Sequence, residues 1–186
     1  TRRRGGTAAE DARLASDLVA SEKDRAENLM IVDLVRNDLG RVCEAGTIEV
    51  SSLMRLEDFA TVFQLVSTVR GRLRPECDAL DAVAASFPPG SMTGAPKIAA
   101  MRLLDALETV RRGVYSGALG YLDVRGGLDL SVVIRTILVC EGRAYFHVGG
   151  GVVFDSDPVG EYRETLDKAR ALFRAMAAGD VSNPAP

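Results

Sequence analysis

The chain has 186 residues, 47% of them hydrophobic and 26% charged, a balance that supports a globular core and excludes a disordered or low-complexity protein. A net charge of -3 gives no electrostatic footprint for nucleic acid, and Arg2-Arg3-Arg4 is too short to count as a basic patch. Every apolar stretch is soon broken by charge, so neither a membrane-length helix nor a secretory leader appears among these residues. The odd and scattered cysteines, Cys43, Cys77 and Cys140, fit neither a disulfide framework nor a zinc knuckle and point to a reducing cytoplasm.

The chain opens on TRRRGG without Met and reads as cut from something longer. Residues 11–38 then carry Leu14, Leu18, Leu29, Val32, Leu34 and Val35 at helical spacing, which predicts one long helix, or two joined, ending near Gly40. GTIEV and residues 60–70 (ATVFQLVSTVR) alternate or run β-branched, as strands do. Residues 78–86 read as a short helix. SFPPGSMTGAP is punctuated as a loop, and PKIAAMRLLDALETV follows as a helix with Pro96 suited to its first position.

From there the period changes. YSGALGYLDV, LDLSVVIRTILVC and RAYFHVGGGVV read as strands, with EGR as a tight hairpin turn. A last helix starts near Asp157-Pro158 and runs to about Ala178, before a disordered tail at 181–186. Neighbouring hairpins predict an α+β fold, a largely antiparallel sheet with flanking helices, not a doubly wound parallel sheet. Length suggests that residues 1–180 are one domain or a large piece of one.

The chemistry-bearing residues cluster on a few of these elements. In EYRETLDK, spacings of three and four put Glu161, Glu164 and Lys168 on one helical face, just after Gly149-Gly150-Gly151. They are either solvated decoration, the Glu164–Lys168 pair being worth ~0.2–0.5 kcal/mol, or a charged site. Asp24 and Glu27 form a second acid pair on the first helical stretch, with Arg25 beside them as a local ion-pair alternative. Two such pairs could converge on magnesium, a hard cation usually held by one or two carboxylates plus oxygens of the substrate. The loop FPPGSMTGAPK offers Ser91, Thr93 and a helix N-terminus to an anion, with Lys97 adding charge or sitting exposed. Alternatively its glycines serve only the backbone. Arg135 lies inside an apolar run, where a guanidinium needs a partner or a ligand such as a carboxylate; alternatively, strand alternation puts it on a wet face with Val133 and Ile137. The single histidine, His147, shares a strand face with Tyr145 and Arg143 and reads as structural. No nucleophile triad can be assembled.

Taken in order, TRRRG, ENLMIVDLVRNDLGRV, GSMTGAPK, RGVYSGALGY, DLSVVIRT, GGGVVFDSDP and EYRETLDKA resemble the C-terminal part of the chorismate-utilising enzymes. That family includes anthranilate synthase component I, aminodeoxychorismate synthase component I and the isochorismate synthases. The resemblance implies the C-terminal part of the anthranilate synthase component I-like fold. It implies Mg²⁺ bound by Glu27 and Glu164, with Asp24 and Glu161 in a second acid layer. It implies that Arg135 and Tyr115 hold the enolpyruvyl carboxylate and that Ser91 lies near the ring carboxylate. By the same resemblance, Gly149, Gly150 and Gly151 approach the substrate through backbone, and Lys168 stands beside the metal glutamates.

The wording is most similar to the aminodeoxychorismate synthase branch, which aminates chorismate with ammonia from a glutamine amidotransferase partner, on the way to p-aminobenzoate and folate. Anthranilate synthases usually carry a histidine where this chain has Gln64, and glutamine cannot titrate. Thr1 matches the threonine of a P-I-x-G-T motif whose variable residue would distinguish the two branches. Family members run to more than twice this length, so weak or no activity is expected of these residues alone, as of a chorismate-binding fragment.

Overall fold

The computed structural model describes residues 1–154 and 156–178. The backbone forms two compact units, Thr1–Leu103 and Leu104–Pro186, within the stretch read from sequence as one domain. The reading of 181–186 as a tail lies outside the described residues. No helix among those residues is long and apolar enough to cross a membrane.

In the first unit the predicted long helix is two, α1 (Ala8–Ala20) and α2 (Glu22–Gly40), separated by Ser21. Ser21 has extended backbone, and its hydroxyl accepts from the Asp24 N–H, so it caps α2 where a continuous helix would have run. Strand β1 (Arg2–Arg3), β2 (Glu49–Asp58) and β3 (Val62–Arg70) form an antiparallel sheet in the order β1-β3-β2. GTIEV marks only the start of β2, whose residues alternate between exposed and half-buried as far as Leu56. Register shifts at Val50/Ser52 and Ser52/Arg55, with Met54 at φ 51°, bend that strand and blur its period in the sequence.

Helix α3 (Ala79–Ser86) carries a complete capping box from Asp78 and Asp81. The glycine-rich loop contains one helical turn, α4 (Gly90–Thr93), before α5 (Lys97–Leu107). Gly90 is buried beneath Leu34 of α2, where an added Cβ would meet that side chain at 3.1 Å. Val42, Cys43 and Ala85 form a buried cluster with Leu39, Ile48, Leu73 and Cys77 packed against it.

The second unit holds two antiparallel hairpins and a helix. Strand β4 (Ala118–Leu122) pairs with β5 (Leu128–Val132), and β6 (Leu138–Cys140) with β7 (Arg143–Tyr145). The antiparallel expectation is met, with the strands distributed over separate sheets. The predicted strand LDLSVVIRTILVC is interrupted at 133–137. Arg135 there takes φ 52°, in the left-handed region that breaks strand pairing. The Glu141-Gly142 turn has both residues at positive φ, 50° and 72°, which matches the twist of a two-residue hairpin. RAYFHVGGGVV is a strand only as far as Tyr145, and the glycines and His147 lie on irregular backbone beyond it. Helix α6 (Pro158–Ala178) starts as read: Asp157 accepts from the Gly160 N–H at 2.7 Å, and Pro158 takes the first turn.

Candidate functional site

The predicted site residues fall on both units. Tyr115, Arg135, Gly149, Gly150, Gly151, Glu161, Glu164 and Lys168 belong to the second; Asp24, Glu27, Gln64 and Ser91 belong to the first.

In the second unit, the first turns of α6 meet the backbone at 149–150. Lys168 Nζ donates to the Gly149 carbonyl at 3.1 Å and pairs with Glu164 at 2.7 Å. The ammonium thus ties a helix carboxylate to the glycine segment, which is more than a solvated i,i+4 pair provides. Ser156 donates to one oxygen of Glu161 at 2.7 Å. The other oxygen, Oε2, lies 3.1 Å from where a Cβ on Gly150 would stand. The Tyr115 hydroxyl lies at the same 3.1 Å from a Cβ on Gly149. The backbone at 149–150 is therefore pressed between a phenol and a carboxylate, and any side chain there crowds one or the other. Gly151 is exposed.

Tyr115 sits in a turn fastened to the neighbouring strand. Its N–H donates to Arg112 O, Ser116 N–H to Val133 O, and Val133 N–H to Gly117 O, all within 3.1 Å. Burial pushes the phenol above its ordinary pKa, a charge on Arg112 pulls it down, Glu108 pushes it up, and Arg135 pulls it down. Burial prevails, so the hydroxyl is a neutral donor at neutral pH. Arg135 is exposed on the loop after β5, not within an apolar strand. It therefore has no need of a buried partner, and its guanidinium is open to a carboxylate from solvent.

A cavity of about 330 Å³ opens beside this turn, lined in part by Arg112, Tyr115, Cys140 and His147. The Tyr115 and His147 rings stack at 5.4 Å between centroids. Arg112 is gripped by both oxygens of Glu108 and donates to Ser116 Oγ at 3.0 Å. Its guanidinium holds the Glu108 carboxyl below the usual range.

In the first unit, Asp24 on α2 pairs with Arg2 at 2.7 Å. Burial raises its pKa, but the hydrogen bond with Ser21 and the charge of Arg2 prevail and lower it. Asn28, next to Glu27, donates to Leu65 O on β3, beside Gln64. The acid-bearing turns of α2 and the Gln64 stretch of β3 are thereby joined. Ser91 is exposed on α4, whereas the Thr93 hydroxyl is spent on the carbonyls of Pro89 and Gly90. Lys97 neither sits exposed nor charges the loop. It is half-buried against the buried Asp38 at 2.6 Å and donates to Ser86 O at 3.2 Å.

That pair was missed in the sequence. Its signal is Asp38 at four residues after Leu34, an acid on the buried face of α2 that needs a cation. Arg112 and Glu108 were also missed, and their spacing of four was the only trace.

For magnesium, the donors are of the right kind, hard carboxylate oxygens with Glu161 Oε2 cradled over a glycine. Among the described residues no group of three or more His, Cys, Asp or Glu side chains could hold a metal. The residues fit a cation held by one or two carboxylates with substrate and water completing its shell, not one caged by protein.

Known proteins share this sequence and backbone. An aminodeoxychorismate synthase of Streptomyces pristinaespiralis is 56% identical over 176 residues, 95% of this chain and 24% of that protein. An anthranilate synthase component 1 of Arthrobacter globiformis is 50% identical over 187 residues, 100% of this chain and 35% of that protein. The crystal structure of anthranilate synthase component I from Streptococcus pneumoniae superimposes with a TM-score of 0.82 at 45% identity, covering 92% of this chain and 41% of that one. The chain thus spans about a quarter to a third of the length of these curated relatives. Residues 1–174 match the family described as chorismate binding enzyme, and the chain belongs to that family.

Proposed function

We propose that this chain is the chorismate-binding part of an aminodeoxychorismate synthase, which replaces the 4-hydroxyl of chorismate with the amino group of ammonia and releases water. The observation that carries the chorismate reading is the meeting of Tyr115, Gly149, Gly150, Glu161, Glu164 and Lys168 around one short backbone segment. A dicarboxylate substrate asks for this mixture: a neutral hydroxyl donor and an open arginine at one carboxylate, and cation-binding acids at the other.

In this reading Tyr115 and Arg135 take the enolpyruvyl carboxylate, and Ser91 hydrogen-bonds near the ring carboxylate. Glu27 and Glu164 would hold Mg²⁺, with Asp24 and Glu161 behind them. The ion, when bound, supplies Lewis acidity at the ring carboxylate as the ring hydroxyl departs. Lys168 orients Glu164 through their ion pair, and the backbone at 149–151 would let the substrate approach closely. Ammonia would come from a glutamine amidotransferase partner.

Gln64 supports amination over aromatisation. Elimination of pyruvate needs a ring proton removed, and a carboxamide cannot take one. A product that keeps its enolpyruvyl group follows. The second reading, anthranilate synthase component I, is favoured by the 50% identical relative of that name.

The test is product analysis by mass spectrometry after incubating the intact enzyme with chorismate, Mg²⁺ and excess ammonium salt. An amino product that retains the enolpyruvyl group is expected. Anthranilate with free pyruvate would overturn the amination reading.

A further inference from the structure

His147 lies outside every substrate-binding or catalytic role assigned so far, yet its ring stacks on Tyr115 in the wall of the second unit's cavity. Its imidazole lies 5.4 Å from the Tyr115 ring centroid with 15° between the planes. The phenol is constrained from several directions. Its hydroxyl abuts Gly149, and the Arg112 guanidinium stands 6.0 Å from its ring centroid. Its backbone is fastened to the strand at Val133 through Ser116, which is buried and held at φ 67°. Arg112 is itself held by both oxygens of Glu108. What remains free is rotation of the ring, and the stacked imidazole is the contact that opposes it.

His147 also belongs to the segment that carries Gly149, whose carbonyl accepts from Lys168. A single stretch of backbone, 147–150, therefore touches the Tyr115 ring, the Tyr115 hydroxyl, Lys168 and Glu161. It sets the distance between the phenol and the acids of α6.

Resting on the chorismate reading, we propose that His147 is a positioning residue: its ring, stacked on Tyr115, holds the phenol aimed at the substrate carboxylate. The imidazole acts through its flat face. Aromatic pairs of this kind prefer an offset stack, and fixing a two-torsion side chain in advance removes part of the cost of binding.

The test uses the intact enzyme and three substitutions. His147→Ala should raise KM for chorismate by about three- to tenfold, the range one aromatic pair supports, while kcat changes little. His147→Phe keeps a flat ring and should restore KM to near the wild-type value. With Tyr115→Phe in place, His147→Ala should add no further rise, because the hydroxyl it aims is gone. In enzyme labelled with fluorotyrosine, the Tyr115 resonance should move in His147→Ala while those of the other tyrosines stay put. An unchanged KM in His147→Ala overturns the proposal. So does His147→Phe behaving as badly as His147→Ala, or a full additive rise on the Tyr115→Phe background. A wild-type enzyme that turns over no chorismate would remove the underlying reading instead, and the positioning role with it.

Discussion

At Gly149 a methyl group would stand 3.1 Å from the Tyr115 hydroxyl, closer than ordinary van der Waals contact. The backbone there is not in the left-handed region, so alanine meets a steric obstacle and not a conformational one. Gly149→Ala is expected to push the phenol aside and raise KM for chorismate by roughly tenfold, since small displacements of a positioning group are costly. Far-ultraviolet circular dichroism should remain that of the wild type. An unchanged KM would mean the phenol yields freely and does not position substrate. Glu108 supports the same turn through charge. Its hydrogen bond to Arg112 depresses its folded-state pKa. A depressed carboxyl contributes stability that is present above its unfolded pKa, about 4.3, and lost as pH falls through the lower folded value. Thermal melting of the wild type should therefore lose more stability than Glu108→Gln as pH drops below about 4.3. Parallel melting curves for the two would show that the Arg112 pair is not coupled to folding.

Among the elements, the tie between α2, α3 and α5 is the most exacting. Lys97 and Asp38 keep only 15% and 8% of their side-chain surface, and Lys97 also caps the end of α3 at Ser86 O. Removing one partner leaves a charge buried without its counterpart. Lys97→Ala should cost about 3–5 kcal/mol in urea unfolding. The pair Lys97→Met with Asp38→Leu should cost much less, because no orphan charge remains. Equal losses would assign the effect to packing and not to charge. The same elements show what could be read from sequence. Helices α3, α5 and α6 and the helical stretch of α1 and α2 were legible because their apolar spacing and flanking Asp, Pro and Gly signals agree, while the single turn α4 was hidden in a loop punctuated by Pro and Gly. The break at Arg135 was not, because a β-branched run on both sides hides one residue of left-handed backbone. The acids of α6 were visible as a shared face just after the glycines, while the approach of Tyr115 to Gly149 from far along the chain was not.

For the molecule as a whole, the second unit carries its apolar side chains outward. Leu119, Tyr121 and Leu122 of β4 and Val139 of β6 are all more than half exposed. Short strands with open apolar faces favour association. This chain by itself is expected to sediment with a weight that rises with concentration. A constant monomer weight would show that water tolerates these faces.

The cysteines, finally, are graded by their surroundings. Cys43 is buried, and a Cβ added at Gly71 would stand 2.9 Å from its sulfur; Cys77 is intermediate, and Cys140 is exposed on the wall of the cavity beside Tyr115 and His147. Alkylating reagents therefore meet an ordered series of thiols and reach first the one nearest the stacked rings. A dye or spin label attached there would report on that cavity from a residue with no assigned part in the chemistry.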